Sequence, residues 1–135
     1  MNNLRFSTAV HILVLLDKNR GELLTSDFIA GSINVNPVVV RRELKLLREA
    51  GFIDAKKGKI GGCTLAVSAD KILLGDLYKI VNRDNMLGRK NQTNPNCPVG
   101  KQMNDKLDIL FDNTDKQLID ALNKQSLQDF SNQFS

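Results

Sequence analysis

The segment from Asn36 to Gly51 constrains the fold most strongly, because it carries both the start and the stop signals of one helix. Asn36 is a good N-cap residue, and Pro37 suits the first helical position, where no backbone N–H is required. Gly51 stands where a helix commonly ends in a left-handed residue. The spacing therefore predicts a helix from Pro37 to about Ala50. Three apolar residues at i, i+4 and i+7 are predicted to form its buried face: Val40, Leu44 and Leu47.

Two further helices are predicted before this segment. The first runs from about Ser7 to Asp17 and carries an apolar face with helical spacing. The second begins after Thr25, a good N-cap, and ends at the turn made by residues 34–37, because the asparagines and the proline there interrupt a helix. The short spacing across this turn is typical of a helix-turn-helix.

A short hairpin is predicted after the third helix. Residues 52–56 and 63–66 have the composition of strands, and residues 57–62 between them form a basic, glycine-rich tip. Helix, short helix, turn, helix and hairpin in this order are typical of a winged helix-turn-helix domain. We therefore predict a mainly α fold with a small β-hairpin as the wing.

The rest of the chain is predicted to be helical, with one polar interruption. A helical turn is expected at residues 69–72 and a helix at residues 74–82, followed over 83–95 by a loop that we expect to be mobile. The next helix begins near Asn96. Its apolar stripe is too large to leave in water on a small protein, which predicts a homodimer interface. The interface residues are Val99, Met103, Leu107, Leu110 and Phe111.

These elements predict a winged helix-turn-helix DNA-binding domain over residues 1–82, the loop over 83–95, and a C-terminal helical dimerisation region over 96–135. Two later apolar stripes lie within residues 118–122 and 127–134. Their spacing leaves open whether they extend the dimerisation region or fold back on the winged domain.

The net charge of +4 is concentrated on the third helix and the wing. Residues 1–66 contain ten Lys and Arg against six Asp and Glu, whereas residues 67–135 contain nine of each. Because seven of those ten cations lie within residues 41–59, the charge favours a polyanion such as DNA as the partner. The alternative is a winged-helix interaction module that docks on an acidic protein. An enzyme is not expected, since the sequence offers no nucleophile with its base, no paired acids and no phosphate loop.

In a helix-turn-helix the second helix enters the major groove of DNA, and the outer residues near its start meet the bases. Arginine reads guanine, and an apolar side chain can contact the methyl group of thymine. We therefore predict five base-reading residues: Asn36, Val38, Val39, Arg41 and Arg42. Four lysines of the helix and the wing are predicted to contact phosphates: Lys45, Lys56, Lys57 and Lys59. The glycines of the tip would let the backbone approach the duplex closely: Gly58, Gly61 and Gly62.

The two cysteines, Cys63 and Cys97, are too few for a disulfide scaffold and give no close metal pair. Cys63 starts the second wing strand, where packing is the simplest role. Cys97 is expected at the start of a helix, which favours the reactive thiolate, so it is either a redox thiol or only a small packed residue. We expect a reducing cytoplasm and no secretory signal or membrane span. The sequence identifies no small-molecule effector.

Several segments together resemble the Rrf2 family of bacterial winged helix-turn-helix regulators, and the resemblance spans nearly the whole chain. The segments are residues 5–13, 29–30, 35–37, 44–47, 49–53, 61–66, 74–77 and 97–100. The family includes the iron–sulfur cluster regulator, the nitric-oxide-sensing repressor and the cysteine-metabolism repressor. The resemblance implies a sequence-specific transcriptional regulator, with repression as the expected mode, that forms a homodimer through C-terminal helices and binds a palindromic operator.

The sequence departs from the cluster-binding members of this family before its last long helix. Those members place three cysteines in the stretch corresponding to about residues 85–104, which here contains only Cys97. An iron–sulfur cluster needs about four ligands, so neither a cluster nor another metal cofactor is expected. The chain looks more like the cluster-free members, which sense by thiol chemistry or through a partner protein.

Overall fold

The computed structural model describes residues 4–59 and 61–135, and it confirms the mainly α fold with a β-hairpin wing. Its helices are α1 (Arg5–Lys18), α2 (Ser26–Ile33), α3 (Pro37–Glu49), α4 (Leu74–Val81), α5 (Pro98–Leu122) and α6 (Leu127–Ser131). The strands β1 (Ile53–Lys56) and β2 (Gly62–Leu65) pair antiparallel, and a 3-10 helix spans Ala69–Lys71. Residues 1–3 of the predicted first domain and Ile60 of the predicted tip lie outside the described residues.

Helix α1 lies at the centre of the hydrophobic core. It packs against α2, α3, α4, α6 and the strand β2. Its buried residues include the broad apolar face expected from the spacing and extend beyond it to Thr8 and Val14: Thr8, Ala9, Val10, Ile12, Leu13, Val14 and Leu16. This helix is buried on several sides because the wing, the helix-turn-helix and the C-terminal helix all pack on it.

The turn between α2 and α3 forms as the sequence predicts. The Thr25 hydroxyl accepts a hydrogen bond from Phe28 N at 3.1 Å and caps α2. Asn34 ends α2 in the left-handed region, with φ of 65°, which an asparagine tolerates better than most residues. Asn36 Oδ1 then accepts from Val38 N at 2.9 Å and caps α3, with Pro37 at its first position.

The buried face of α3 differs from the predicted one at a single position. Val40 and Leu47 are fully buried, but Leu44 is only half-buried, and Glu43 takes the third buried place. A carboxylate is almost never fully buried unless it is paired, and the pairing partner here comes from another helix. Arg5 at the start of α1 donates from Nε to Glu43 Oε1 at 2.8 Å.

The wing is joined to the segment before α2 by a short backbone pairing. Leu24 N donates to Cys63 O at 3.0 Å, and Cys63 N donates to Leu24 O at 2.9 Å. Gly62 has φ of 153°, and a Cβ on it would lie 2.8 Å from Leu24 O. A Cβ on Gly61 would lie 2.6 Å from Lys56 O. These two glycines are therefore required by the hairpin itself, before any approach of a duplex is considered.

The C-terminal helices settle one alternative that the spacing left open. Helix α5 begins at Pro98, after the N-cap Cys97, which is close to the predicted start near Asn96. It is continuous to Leu122 and includes the stripe at residues 118–122. Helix α6 folds back on the winged domain, where Leu127 is fully buried and its N donates to Ile72 O at 2.7 Å. No helix among the described residues is long and apolar enough to cross a membrane.

The segment of residues 83–95 has neither helix nor strand, and it runs along α5. Met86 N donates to Asp115 Oδ1 at 2.9 Å, and Thr93 Oγ1 donates to Gly100 O at 2.6 Å. Additional side-chain bonds join Asn85 to Asp115, Lys90 to Asp108, and Asn104 to Asn91 O. The loop is thus attached to α5 at several points, and its mobility stays a prediction.

Candidate nucleic-acid interface

Helix α3 and the wing face each other across a groove of about 510 Å³. Six basic side chains line it: Arg41, Lys45, Arg48, Lys56, Lys57 and Lys59. The three from α3 follow the i, i+4, i+7 spacing, so they share one side of the helix. No Asp or Glu is found among the described residues that line the groove. Because cations from two elements meet here without opposing acids, the groove suits a polyanion.

The start of α2 adds to the same groove. Thr25 and Ser26 line it beside the basic residues. A helix N-terminus presents backbone N–H groups and a partial positive charge, both of which favour phosphate. The groove therefore offers charge from side chains and from the backbone.

The five predicted base-reading residues all lie at the start of α3, but on different sides of it. Asn36 and Val38 are exposed, and Asn36 uses its Oδ1 as the helix cap. Arg41 faces the wing across the groove, whereas Arg42 and the half-buried Val39 line a second cavity, together with residues of α1 and α4. The two predicted arginines thus line different cavities.

The four predicted phosphate-contacting lysines are brought together by the structure. Lys45 lies on α3, and Lys56, Lys57 and Lys59 lie on the wing; all four are exposed and line the groove. Arg48, which the sequence left between phosphate and solvent, joins this group one turn further along α3. Its helical spacing from Arg41 and Lys45 is the signal that would have included it.

Sequence reasoning missed the ion pairs beneath α3. Glu43 Oε1 lies 2.8 Å from Arg5 Nε and 3.5 Å from Arg42 Nε, and Glu43 is fully buried. The Arg5 Nη2 atom lies 3.5 Å from the other carboxylate oxygen. Spacing along the sequence could not have indicated this contact, because Arg5 and Glu43 belong to different helices.

The predicted dimer residues divide into exposed and covered ones. Val99, Met103 and Leu110 are exposed on α5, Leu107 is half-buried, and Phe111 is only 7% exposed. Phe111 is covered within the chain, where Lys90 of the loop lies 5.9 Å from the centre of its ring. A further exposed apolar residue, Ile109, falls outside the stripe that the spacing identified.

Cys97 is exposed and caps α5. Its Sγ accepts a hydrogen bond from Gly100 N at 3.4 Å. Cys63, in contrast, is buried in the wing, and its thiol donates to Leu24 O at 3.4 Å. Burial raises the pKa of Cys63 from 9.0 to about 11, because desolvation disfavours the thiolate. The two thiols therefore stand in opposite environments.

Comparison with known proteins identifies the family. The Rrf2 family, described as iron-dependent transcriptional regulators, matches residues 3–133. This chain belongs to the Rrf2 family. As an Rrf2 protein it is a DNA-binding transcriptional regulator and not an enzyme.

Related proteins agree with this assignment over nearly the full chain. YwnA of Bacillus subtilis strain 168, named an HTH-type transcriptional regulator, is 35% identical over 133 residues, covering 98% of each protein. A transcriptional regulator from Lactobacillus plantarum matches with a TM-score of 0.81 and 27% identity, over 94% of this chain and 87% of that one. CymR, the global cysteine regulator of Bacillus subtilis, shares the fold with a TM-score of 0.72 at 18% identity, over 100% and 98% of the two chains.

The donor set of this Rrf2 protein does not fit an iron–sulfur cluster. Cys63 is buried in the wing with its thiol bonded to Leu24 O, and Cys97 is exposed at the start of α5. Across residues 4–59 and 61–135 no group of three or more His, Cys, Asp and Glu side chains could hold a metal ion. Cluster ligation takes several thiolates, or histidines in their place, at one site.

The raised pKa of Cys63 predicts a loss of stability at alkaline pH. The unfolded chain releases this proton above about pH 9, whereas the folded protein keeps it to about pH 11. The contribution is therefore fully present below pH 9 and is lost as the pH rises to 11, with a slope of up to about 1.4 kcal/mol per pH unit. Urea unfolding at pH 8 to 11 measures it.

The matched control is Cys63→Ala, measured over the same pH range. Other groups titrate in both proteins, so the difference between the two slopes isolates Cys63. Parallel slopes in wild type and Cys63→Ala would contradict the assignment.

Proposed function

We propose that this Rrf2 regulator is a homodimeric repressor in the bacterial cytoplasm that binds a palindromic operator and responds to oxidation of Cys97. The observation that carries the proposal is the groove in which basic residues of α3 and of the wing meet. Insertion of α3 in the major groove would bring its first turns to the bases and the wing to the flanking phosphates.

The proposed role of each residue follows from the side of α3, or the part of the wing, on which it lies. Val38 is exposed at the start of the helix and can meet a thymine methyl, while Arg41 and Arg42 can each reach a guanine edge. Asn36 and Val39 flank them. Lys45, Lys56, Lys57 and Lys59 contact phosphates, which position the protein without reading sequence.

The proposed dimer uses the exposed apolar residues of α5. Val99, Met103 and Leu110 leave an apolar surface on the outside of a small protein. A two-fold axis through this surface would pair it with its copy and set two recognition helices about 34 Å, or a multiple of this, apart. That spacing is the physical reason for a palindromic operator.

The proposed signal acts at the start of the same helix. Cys97 is exposed, and its sulfur caps α5 through Gly100 N. Peroxide would convert the thiolate to a sulfenic acid with release of water or hydroxide, and a disulfide reagent would form a mixed disulfide and release a thiol. Either product enlarges the cap and disturbs the first turn of the helix that spaces the DNA-reading domains.

Sequence-specific binding should depend on α3 and non-specific affinity on the wing. A duplex is first selected from a randomised pool with the wild-type protein. Arg41→Ala should then cost about 1–3 kcal/mol and relax preference at one base position, whereas Lys57→Ala should weaken binding to all duplexes alike. Fluorescence anisotropy over a range of salt concentrations measures both effects.

The control for charge alone is Lys71→Ala, an exposed lysine outside the groove lining. The salt slope should fall by about 0.9 for each phosphate contact that is lost. The groove assignment is wrong if Arg41→Ala and Arg42→Ala both leave affinity and selectivity unchanged. A salt slope near zero for the wild type would favour the interaction module that docks on an acidic protein.

The protein should sediment as a dimer at micromolar concentration. Leu110→Asp should shift it toward the monomer, because a carboxylate would be buried in the apolar interface. Ile109→Asp makes the same chemical change on the neighbouring residue, outside the predicted stripe, and should have a smaller effect. A wild-type monomer at these concentrations would remove the dimer from the proposal.

Mild peroxide or a disulfide reagent should change operator affinity by about 5–150-fold, the usual range of coupling between two sites. The response should be lost in Cys97→Ser, which keeps an oxygen acceptor at the cap, and retained in Cys63→Ala. An equal response in wild type and Cys97→Ser, or no response in either, would rule out the sensor while leaving DNA binding untouched.

A further inference from the structure

We propose that Glu43 is a positioning residue for DNA recognition, whose buried carboxylate holds the Nε edge of Arg42 so that the rest of the guanidinium is presented to a base. The proposal rests on the proposed function, since it concerns how α3 reads DNA. It assigns a role to the buried carboxylate of α3; the other carboxylate of this helix, Glu49, is exposed.

The first observation is the burial of Glu43 in the packed side of α3. It shares this side with Val40 and Leu47, where an apolar residue would be the ordinary choice. Its carboxylate is held from α1, by Arg5 Nε at 2.8 Å and Nη2 at 3.5 Å. Because those contacts come from a different helix, they hold the carboxylate in place on the core side of α3.

The second observation is the approach of Arg42 to this fixed carboxylate. Arg42 Nε lies 3.5 Å from Glu43 Oε1, although the Arg42 side chain is 61% exposed. The guanidinium carries five N–H donors in a rigid, planar fork. At 3.5 Å the Nε edge lies within ion-pair distance of the carboxylate, so the attraction favours orientations of the fork that turn this edge inward and leave amino groups for a second acceptor. Reading of guanine O6 and N7 requires such a pair of donors in a fixed orientation.

The neighbouring arginine provides a natural comparison. Arg41 faces the wing groove, and within residues 4–59 and 61–135 it forms no ion pair with a carboxylate. Arg41 and Arg42 therefore have the same chemistry and adjacent positions. Of the two, only Arg42 lies within ion-pair distance of a carboxylate among the described residues. A side chain that is oriented before binding loses less rotational freedom when it binds, so we expect Arg42 to discriminate bases more sharply.

The test is a double-mutant cycle on the duplex selected by the wild type. Discrimination is the ratio of the Kd for a duplex with one substituted base to the Kd for the selected duplex. Glu43→Met should lower this ratio by about fivefold or more at one base position, the lower limit of a bidentate contact. Affinity for a random duplex should not fall, because Arg42 keeps its charge.

Arg42→Ala should lower the same ratio, and adding Glu43→Met to it should cause no further loss, since Glu43 acts through Arg42. Arg42→Lys should also lose discrimination, because an ammonium keeps the charge but has no fork. The matched cycle uses Arg41→Ala, whose effect should be independent of Glu43→Met. Circular dichroism and thermal unfolding check that each variant is folded.

If Glu43 only forms a structural ion pair between α1 and α3, the variants should change DNA binding in a different way. Glu43→Met would then change the affinity for all duplexes by one factor, and its effect would persist in Arg42→Ala; either result overturns the proposal. If Glu43→Met does not fold, Glu43→Gln carries the test, because its neutral amide attracts arginine more weakly than a carboxylate does, so discrimination should fall by a smaller factor and only while Arg42 is present. A wild type that selects no sequence contradicts the proposed function itself, whereas selection that depends on Arg41 but not on Glu43 overturns only this inference.

Discussion

The burial of α1 on several sides is the constraint on which the rest of the structure depends. Its start is tied to α3 through Arg5 and Glu43, and its end is tied to α6, where Ser131 Oγ donates to Asp17 Oδ2 at 2.6 Å. Its middle carries the fully buried Ile12 and Leu13. The recognition helix and the C-terminal helix are therefore both positioned against one element. Close packing of this kind transmits displacement, because core side chains have little free space.

The ion pair between Arg5 and Glu43 is better explained by the position that it gives the carboxylate than by a contribution to the free energy of folding. Burying a carboxylate costs several kcal/mol, and replacing a buried ion pair by apolar residues is often neutral or stabilising by about 1–4 kcal/mol. Val40 and Leu47 show that this side of α3 accepts apolar packing. What Glu43 supplies, and an apolar residue does not, is a directional acceptor between two arginines. This is why the proposed role concerns the orientation of Arg42.

Local signals predicted the helix-turn-helix, and long-range contacts explain what they missed. The helix signals of α3 are local: Asn36, Pro37 and Gly51 affect only the backbone a few residues away. The sequence alone therefore predicted where α3 begins and ends. Glu43 is buried in contact with Arg5, 38 residues earlier, and Phe111 is buried with Lys90 of the loop near its ring. No periodicity contains that information. The roles of the base-reading, phosphate-contacting and dimer residues stay predictions, although the structure brings the cations of α3 and the wing to one groove.

The loop of residues 83–95 connects the two parts of the proposed mechanism. At its start, Asn82, Arg83 and Asp84 line the cavity that also contains Arg42 and Glu43. At its end, Thr93 donates to Gly100 O, in the first turn of α5 that Cys97 caps. A displaced first turn would therefore act on Thr93 and, through the loop, on the cavity wall beside Arg42.

The loop can transmit a displacement from the Cys97 cap to Arg42 only if it has two discrete arrangements. Packed contacts are exchanged for other contacts and do not deform gradually. The bonds of Asn85 and Met86 to Asp115, and of Lys90 to Asp108, are the contacts that would have to exchange. Asp108 falls within the residue range of the proposed dimer stripe, and Asp115 lies about two turns further along α5. In the proposed dimer, a change at the Cys97 cap would thus alter both the spacing of the two DNA-reading domains and the ion pair between Arg42 and Glu43.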